Sequence, residues 1–183
     1  MTESARPIAP PLVVERWFNT DQAITLESLR GRIVVLHAFQ MLCPGCVATA
    51  IPQARRLNEI AQSIDGLVVL GIHTVFEHHA AMTPVSLEAF LHEYKITFPV
   101  AVDRPSPDGP IPQTMAAYGF RGTPSTVIVD RDGRIARHSF GSEDDLALGL
   151  ILGNLLSATT SSPSGPLPRR RSCDQCRPRC GPR

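Results

Sequence analysis

Ile33-Val34-Val35-Leu36-His37-Ala38-Phe39-Gln40-Met41-Leu42-Cys43-Pro44-Gly45-Cys46 is an apolar run that ends in two cysteines separated by two residues. A helix-forming segment, Val47 to about Ser63, follows directly. Nearly continuous apolar character from Arg32 to Phe39 is what a strand covered on both faces requires, so the stretch predicts a central strand running into a helix. At such a junction the leading sulfur lies near first-turn N–H groups that lack intrahelical partners, and these favour negative charge. A free cysteine titrates near roughly 8.5, and a site of this kind can lower that to about 3.5 to 7.5, so the leading thiol, Cys43, can be a nucleophile at neutral pH. Cys46, one turn on, can then attack a mixed disulfide. Two other readings of the pair stay open on the residues alone. It can be half of a zinc site, which needs a further ligand pair, or two small buried hydrophobes.

Outward from this stretch the pattern alternates strand and helix. Leu12 to Trp17 reads as a short extended segment, and Leu26-Glu27-Ser28-Leu29-Arg30-Gly31 as a turn of helix stopped by glycine. Pro52 falls inside the helix after the cysteines and predicts a kink there rather than a break. Asp65-Gly66 ends that helix, and Leu67 to Thr74 is a second buried strand. Ser86 to Tyr94 predicts a helix capped by Ser86, with Leu87, Phe90 and Leu91 on one face. Phe98 to Val102 is a third strand, Arg104 to Pro110 a loop, and Pro112 to Tyr118 a short helix. Ser125 to Val129 and Arg134 to Ser139 form a hairpin around Asp130-Arg131-Asp132-Gly133, and a last helix runs from about Glu143 to Leu156. Strands separated by helices and closed by a hairpin predict a three-layer α/β fold with a central mixed sheet flanked by helices.

The 183 residues carry a net charge of +1, with charged and apolar fractions typical of a globular protein. Residues 1–157 hold 12 basic and 16 acidic side chains, whereas the rest holds six arginines and one aspartate. Three units follow: a flexible arm over 1–11, a folded domain over 12–157, and a disordered basic tail over 158–183. Met1 to Pro11 lacks the basic start and apolar core of a signal peptide, and no run reaches the roughly 18 apolar residues of a membrane span. A cytoplasmic, reducing location is therefore expected, where a cycling disulfide is more natural than a persistent one.

The tail contains Cys173, Cys176 and Cys180 among arginines. It can be a second dithiol serving Cys43 and Cys46, a three-sulfur zinc ligand set needing an outside ligand, an arginine-rich surface for acidic partners, or a dispensable extension. Glu77-His78-His79, with His73 and His92, shows no clear ligand spacing, so no metal is expected there. Gly122-Thr123-Pro124 precedes the hairpin; proline cannot donate to a sheet ladder, so Pro124 belongs at a strand start.

Leu26 to Gly31, the strand ending in Cys43-Pro44-Gly45-Cys46, Pro52, and Gly122-Thr123-Pro124 followed by Val127 to Ile135 together resemble the thioredoxin superfamily. Within it the chain is most similar to the redoxin branch, which includes cytochrome-maturation-type thioredoxins and the peroxiredoxins. The resemblance covers roughly residues 12 to 157. It implies Cys43 as attacking thiol, Cys46 as resolving thiol, and Pro124 as a cis-proline packed against the dithiol. It also implies a loop where Thr123 pairs with a partner's main chain, with Leu42, Pro44 and Gly45 completing the substrate-binding surface. His37, six residues before Cys43, falls where thioredoxins carry a buried acid or another polar group, and is either a proton relay to Cys46 or a satisfied core histidine. The sequence departs from the pattern twice. Leu42 stands where an aromatic residue usually precedes the first cysteine, and Gln40 stands where typical peroxiredoxins have threonine.

The expectation is a thiol-disulfide oxidoreductase without a bound cofactor. Its partners are a disulfide-containing protein or small molecule and an external thiol reductant, with no membrane partner and nucleic acid only through the tail's arginines. The alternatives are a thiol peroxidase, in which Cys43 is peroxidatic and Cys46 resolving, and a redox-inert binding module built on the same fold.

Overall fold

The structure, a computed structural model, describes residues 6–158. Its centre is strand β2, Ile33–Phe39, in which all seven residues are buried, as the unbroken apolar run requires. β2 pairs in parallel with β3, Leu67–His73, and antiparallel with β5, Ser125–Val129. β4, Val100–Asp103, lies parallel beside β3 and antiparallel to β1, Val14–Phe18, while β6, Ile135–Phe140, pairs antiparallel with β5. The resulting six-stranded mixed sheet has the order β1-β4-β3-β2-β5-β6.

Alternation along β2 divides the core. Ile33, Val35 and Phe39 face a cluster that takes in Leu57 of α1 (Ile51–Ala61), Leu87 of α2 (Pro84–Glu93) and Leu148 of α4 (Asp145–Ser157). Val34, Leu36 and Ala38 face the other side, where Met115 and Tyr118 of α3 (Gln113–Tyr118) pack with Leu29 and Ala9. His37 therefore lies on the side of α1 and α4, the side whose cluster also contains Cys46. Gly71 of β3 is filled from above. A Cβ there would come within 3.0 Å of both Phe98 and Val100 side chains and 3.3 Å of Phe39.

Several boundaries differ from expectation, each for a local reason. The arm expected to be loose over 1–11 is anchored from Pro7: the Ile135 N–H donates to the Pro7 carbonyl at 2.8 Å, the Ala9 N–H to the Gly133 carbonyl at 2.9 Å, and the Tyr118 hydroxyl to the Pro10 carbonyl at 2.7 Å. Prolines give up a donor and keep an acceptor, and here the acceptors are used. Helix α2 is capped by Thr83, whose Oγ1 accepts from the Ser86 N–H at 3.2 Å, so Ser86 lies within the first turn instead of at the cap. Pro52 is accommodated by a π-helical turn, Cys46–Ala50, directly before α1. Widening the turn relieves the carbonyl that the proline ring would otherwise meet.

At the hairpin, Asp130 Oδ1 accepts from the N–H groups of Asp132 and Arg134 at 3.1 and 2.8 Å. Gly133 there has φ +73°, a left-handed backbone that glycine adopts freely. The neighbouring Arg131 reaches out of the turn to the end of α4 and donates to the carbonyls of Leu155, Leu156 and Ala158 at 3.1, 3.3 and 2.7 Å. The start of α4 is capped by Asp144, whose carboxylate accepts from the N–H groups of Leu146 and Ala147, both at 3.0 Å. Among the described residues no helix is long and apolar enough to cross a membrane. The tail readings, including those for Cys173, Cys176 and Cys180, lie outside the described residues.

Candidate active site

β2 ends at Phe39, and the chain turns at Gln40, whose carbonyl accepts from the Cys43 N–H at 3.3 Å. The Cys43 carbonyl then accepts from the Val47 N–H at 3.1 Å, so the first cysteine is held at the mouth of the helix. Cys43 is half-buried and Cys46 is fully buried; both are free thiols. The Cys46 backbone N–H donates to Cys43 Sγ at 3.2 Å, which supplies one of the first-turn donors expected to favour charge on that sulfur. Cys43 Sγ in turn lies 3.4 Å from the Thr123 carbonyl, to which the thiol donates.

The Thr123-Pro124 peptide bond is cis. Pro124 lies over the dithiol turn, since its Cδ is 3.5 Å from where a Cβ on Gly45 would be. A third segment closes the arrangement: the Gly141 N–H donates to the Pro124 carbonyl at 2.8 Å, and the Thr49 hydroxyl lies 2.6 Å from the Ser142 hydroxyl and donates to the Gly45 carbonyl at 2.6 Å. Leu42, Pro44 and Gly45 are exposed around Cys43, Leu42 by 57 %. The structure thus brings Cys43, Cys46, Leu42, Pro44, Gly45, Thr123 and Pro124 together.

The two thiols differ in their surroundings. Burial pushes the Cys46 thiol up to about 12, the hydrogen bond with Cys43 pushes in the same direction, and hydrogen bonds from the Gln40 backbone and the Thr123 side chain oppose them. Cys46 therefore keeps its proton at neutral pH.

His37 is buried on the Cys46 side of the sheet. Its Nδ1 lies 3.3 Å from the Thr126 hydroxyl, and its Nε2 has no hydrogen-bond partner. Burial pulls its pKa down to about 4, so the ring is neutral. A second buried histidine, His73, has neither ring nitrogen partnered and is likewise pulled down to about 4 by burial, its ring tilted against Phe39 at 5.4 Å. His78 and His79 are exposed and His92 pairs with Glu93 on α2, so the fold does not gather these histidines into one site. Gln40 is buried, and its Oε1 accepts from the Phe76 N–H at 3.4 Å.

The sequence reading missed the third segment of the site. Phe140 and Ser142 come to the cis-proline loop and to Thr49 of the dithiol helix only through the pairing of β5 with β6. The available signal was an apolar residue, Phe140, at the very end of β6 after the polar Arg137-His138-Ser139.

A sequence profile of the AhpC/TSA family matches residues 8–138. Protein DipZ of Mycobacterium tuberculosis is 26% identical over 165 residues, which is 89% of this chain and 22% of DipZ. Thiol-disulfide oxidoreductase ResA of Geobacillus thermodenitrificans is 25% identical over 112 residues, covering 61% of this chain and 56% of its own. The chain therefore spans well under two thirds of these relatives. Two solved structures superpose over nearly their full length. One is the thioredoxin-like superfamily protein SPOA0173, with 50% identity, a TM-score of 0.79, and coverage of 85% of this chain and 99% of that one. The other is a thiol-disulfide isomerase from Corynebacterium glutamicum, with 47% identity, a TM-score of 0.78 and the same coverage. The matched profile, the mixed sheet and these full-length superpositions agree, and the chain belongs to the AhpC/TSA family, redoxins of thioredoxin-like fold.

Proposed function

We propose that the protein is a thiol-disulfide oxidoreductase in which Cys43 attacks and Cys46 resolves. The observation that carries this reading is the asymmetry of the pair: a half-buried Cys43 sulfur holding a backbone N–H, and a fully buried Cys46 that retains its proton. Cys43 thiolate attacks one sulfur of a substrate disulfide, the other substrate sulfur leaves as thiolate and takes up a proton, and a mixed disulfide remains. Two of the influences that hold the Cys46 proton come from Cys43 itself, its hydrogen bond and its charge. Once Cys43 is in a mixed disulfide both are gone, and Cys46 loses its proton more readily at the step that needs it. Cys46 thiolate then attacks Cys43, releases the reduced substrate, and leaves a Cys43-Cys46 disulfide for an external thiol reductant.

The departing substrate thiolate takes up that proton. His37 lies on the Cys46 side of the sheet with an unpartnered Nε2, but burial that holds its pKa down to about 4 makes it a poor acceptor, and we assign it to the core instead of to the relay. The Thr123 carbonyl, which receives the Cys43 thiol in the free protein, is the main-chain group a bound partner would pair with. The thiol peroxidase alternative finds less support, because Gln40 is tied to Phe76 in the position where a peroxide-orienting group would stand.

The test is a trapping experiment. Cys46→Ser incubated with a protein disulfide should accumulate a mixed disulfide at Cys43, detected by intact mass, and wild type should turn over insulin with a dithiol reductant. Peroxide consumption outrunning disulfide reduction, with no trapped adduct, would overturn the proposal in favour of the peroxidase.

A further inference from the structure

Beside the cis Thr123-Pro124 bond lies a pair of side chains that the exchange reaction does not use. Arg121 stands two residues before Thr123, and its guanidinium carbon sits 5.2 Å from the centre of the Phe140 ring. Phe140 is 50% exposed, an apolar ring left at the end of edge strand β6. It is held in place from beneath: a Cβ on Gly122 would come within 3.0 Å of its Cε2, and the following Gly141 N–H is bonded to the Pro124 carbonyl at 2.8 Å. The ring thus fixes the guanidinium over the flank of the loop. Arg121 is exposed and has no carboxylate partner among the described residues, although residues 1–157 carry more acids than bases. Its charge is felt locally, since it helps to lower the pKa of His138, behind the burial of that ring.

We propose that Arg121, seated on Phe140, is a specificity-determining residue that selects disulfide substrates carrying a carboxylate side chain two residues from the reacting cysteine. The inference rests on the disulfide-exchange reading of the site. A partner extended along the loop from the sulfur at Cys43 advances about 3.3 Å per residue, so its second residue is about 7 Å along and reaches past Gly122 to Arg121. A cation already stacked on an aromatic face has lost less freedom to the pairing than a free chain would, and guanidinium matches a carboxylate through two parallel donors.

The experiment uses the full chain with three model peptide disulfides identical except for Glu, Gln or Lys two residues from the cysteine, on either side. Second-order rate constants for reduction are compared at low and high salt. An exposed ion pair supports a preference for Glu over Gln of about two- to fivefold, with Lys slower than Gln, and both differences shrinking as salt screens the charges. Arg121→Gln should bring the Glu-to-Gln ratio close to one, and Arg121→Lys should retain part of it. Arg16→Gln, which removes the same charge from β1 at the opposite edge of the sheet, should leave the ratio as in wild type. An unchanged ratio in Arg121→Gln, or equal rates for the three peptides in wild type, overturns the subsite while disulfide exchange stands. Failure to reduce any of the peptides removes the exchange reading and the subsite with it.

Discussion

Acidifying the protein from pH 7.5 to 5.0 will weaken the fold, and replacing His73 by leucine will remove a measurable part of that loss. His73 has a folded-state pKa of about 4 against an ordinary 6.5 because burial opposes the charged ring. The neutral form is the one the fold accepts. Above pH 6.5 neither state binds the proton and the residue has no pH-linked effect; between 6.5 and about 4 the unfolded chain is protonated and the folded one is not, so stability falls with pH across that window. At pH 5 the linkage amounts to about 2 kcal/mol, rising towards about 3 kcal/mol below pH 4. His37, with the same displacement, adds a similar amount. Asp103 works in the opposite sense, since burial raises its carboxyl and its protonation at low pH relieves the fold. The difference between wild type and His73→Leu cancels that contribution. Neither ring nitrogen of His73 has a partner, so leucine removes no hydrogen bond and the variant should fold. Urea denaturation of both proteins at pH 7.5 and 5.0 gives the answer through the midpoints at constant m. A wild-type pH dependence that His73→Leu reproduces in full would refute the reasoning.

Other predictions follow from single contacts. At pH 7 a small alkylating reagent should modify Cys43 and spare Cys46 in the folded protein, read by peptide mass mapping, because Cys46 is fully buried and holds its proton up to about 12. Gly71→Ala should destabilise the protein by about 1 to 3 kcal/mol in urea denaturation, since the new methyl would press on the buried Phe98, Val100 and Phe39 side chains at once. Asp144→Ala should cost about 1 kcal/mol by the same measurement, through loss of the cap on the Leu146 and Ala147 N–H groups, with Asp144→Asn recovering most of it.

What was legible in the sequence was whatever a short window encodes. The buried β2 strand, the helix after Cys46 and the Asp130-Gly133 turn each follow from hydrophobic continuity or turn chemistry within a few residues, and they emerge nearly where expected. Features set by distant backbone did not show. Proline content suggested a loose arm, but the carbonyls of Pro7 and Pro10 find donors more than a hundred residues away in Ile135 and Tyr118. Ser86 and Thr83 are both good caps, and the choice between them depends on where Pro84 starts the helix. At the site, the dithiol was visible as a local spacing, whereas the placement of Phe140 against Gly122 and Arg121 depends on the register of β5 against β6. The solitude of His73 is invisible in one dimension, because being unpartnered is a property of the surroundings.

The reach of Arg131 from the hairpin turn to the last carbonyls of α4 ties two elements that otherwise belong to different layers. A helix end ordinarily frays by itself, with its amides exchanging through small openings that leave the rest of the domain intact. Here the final turn of α4 cannot loosen without releasing the guanidinium, and the turn between β5 and β6 cannot open without uncovering the helix end. In hydrogen exchange the two should therefore protect and open as one cooperative unit, and a substitution in the Asp130-Gly133 turn should register in the amide protection of Asn154 to Ser157 before any change appears around Cys43.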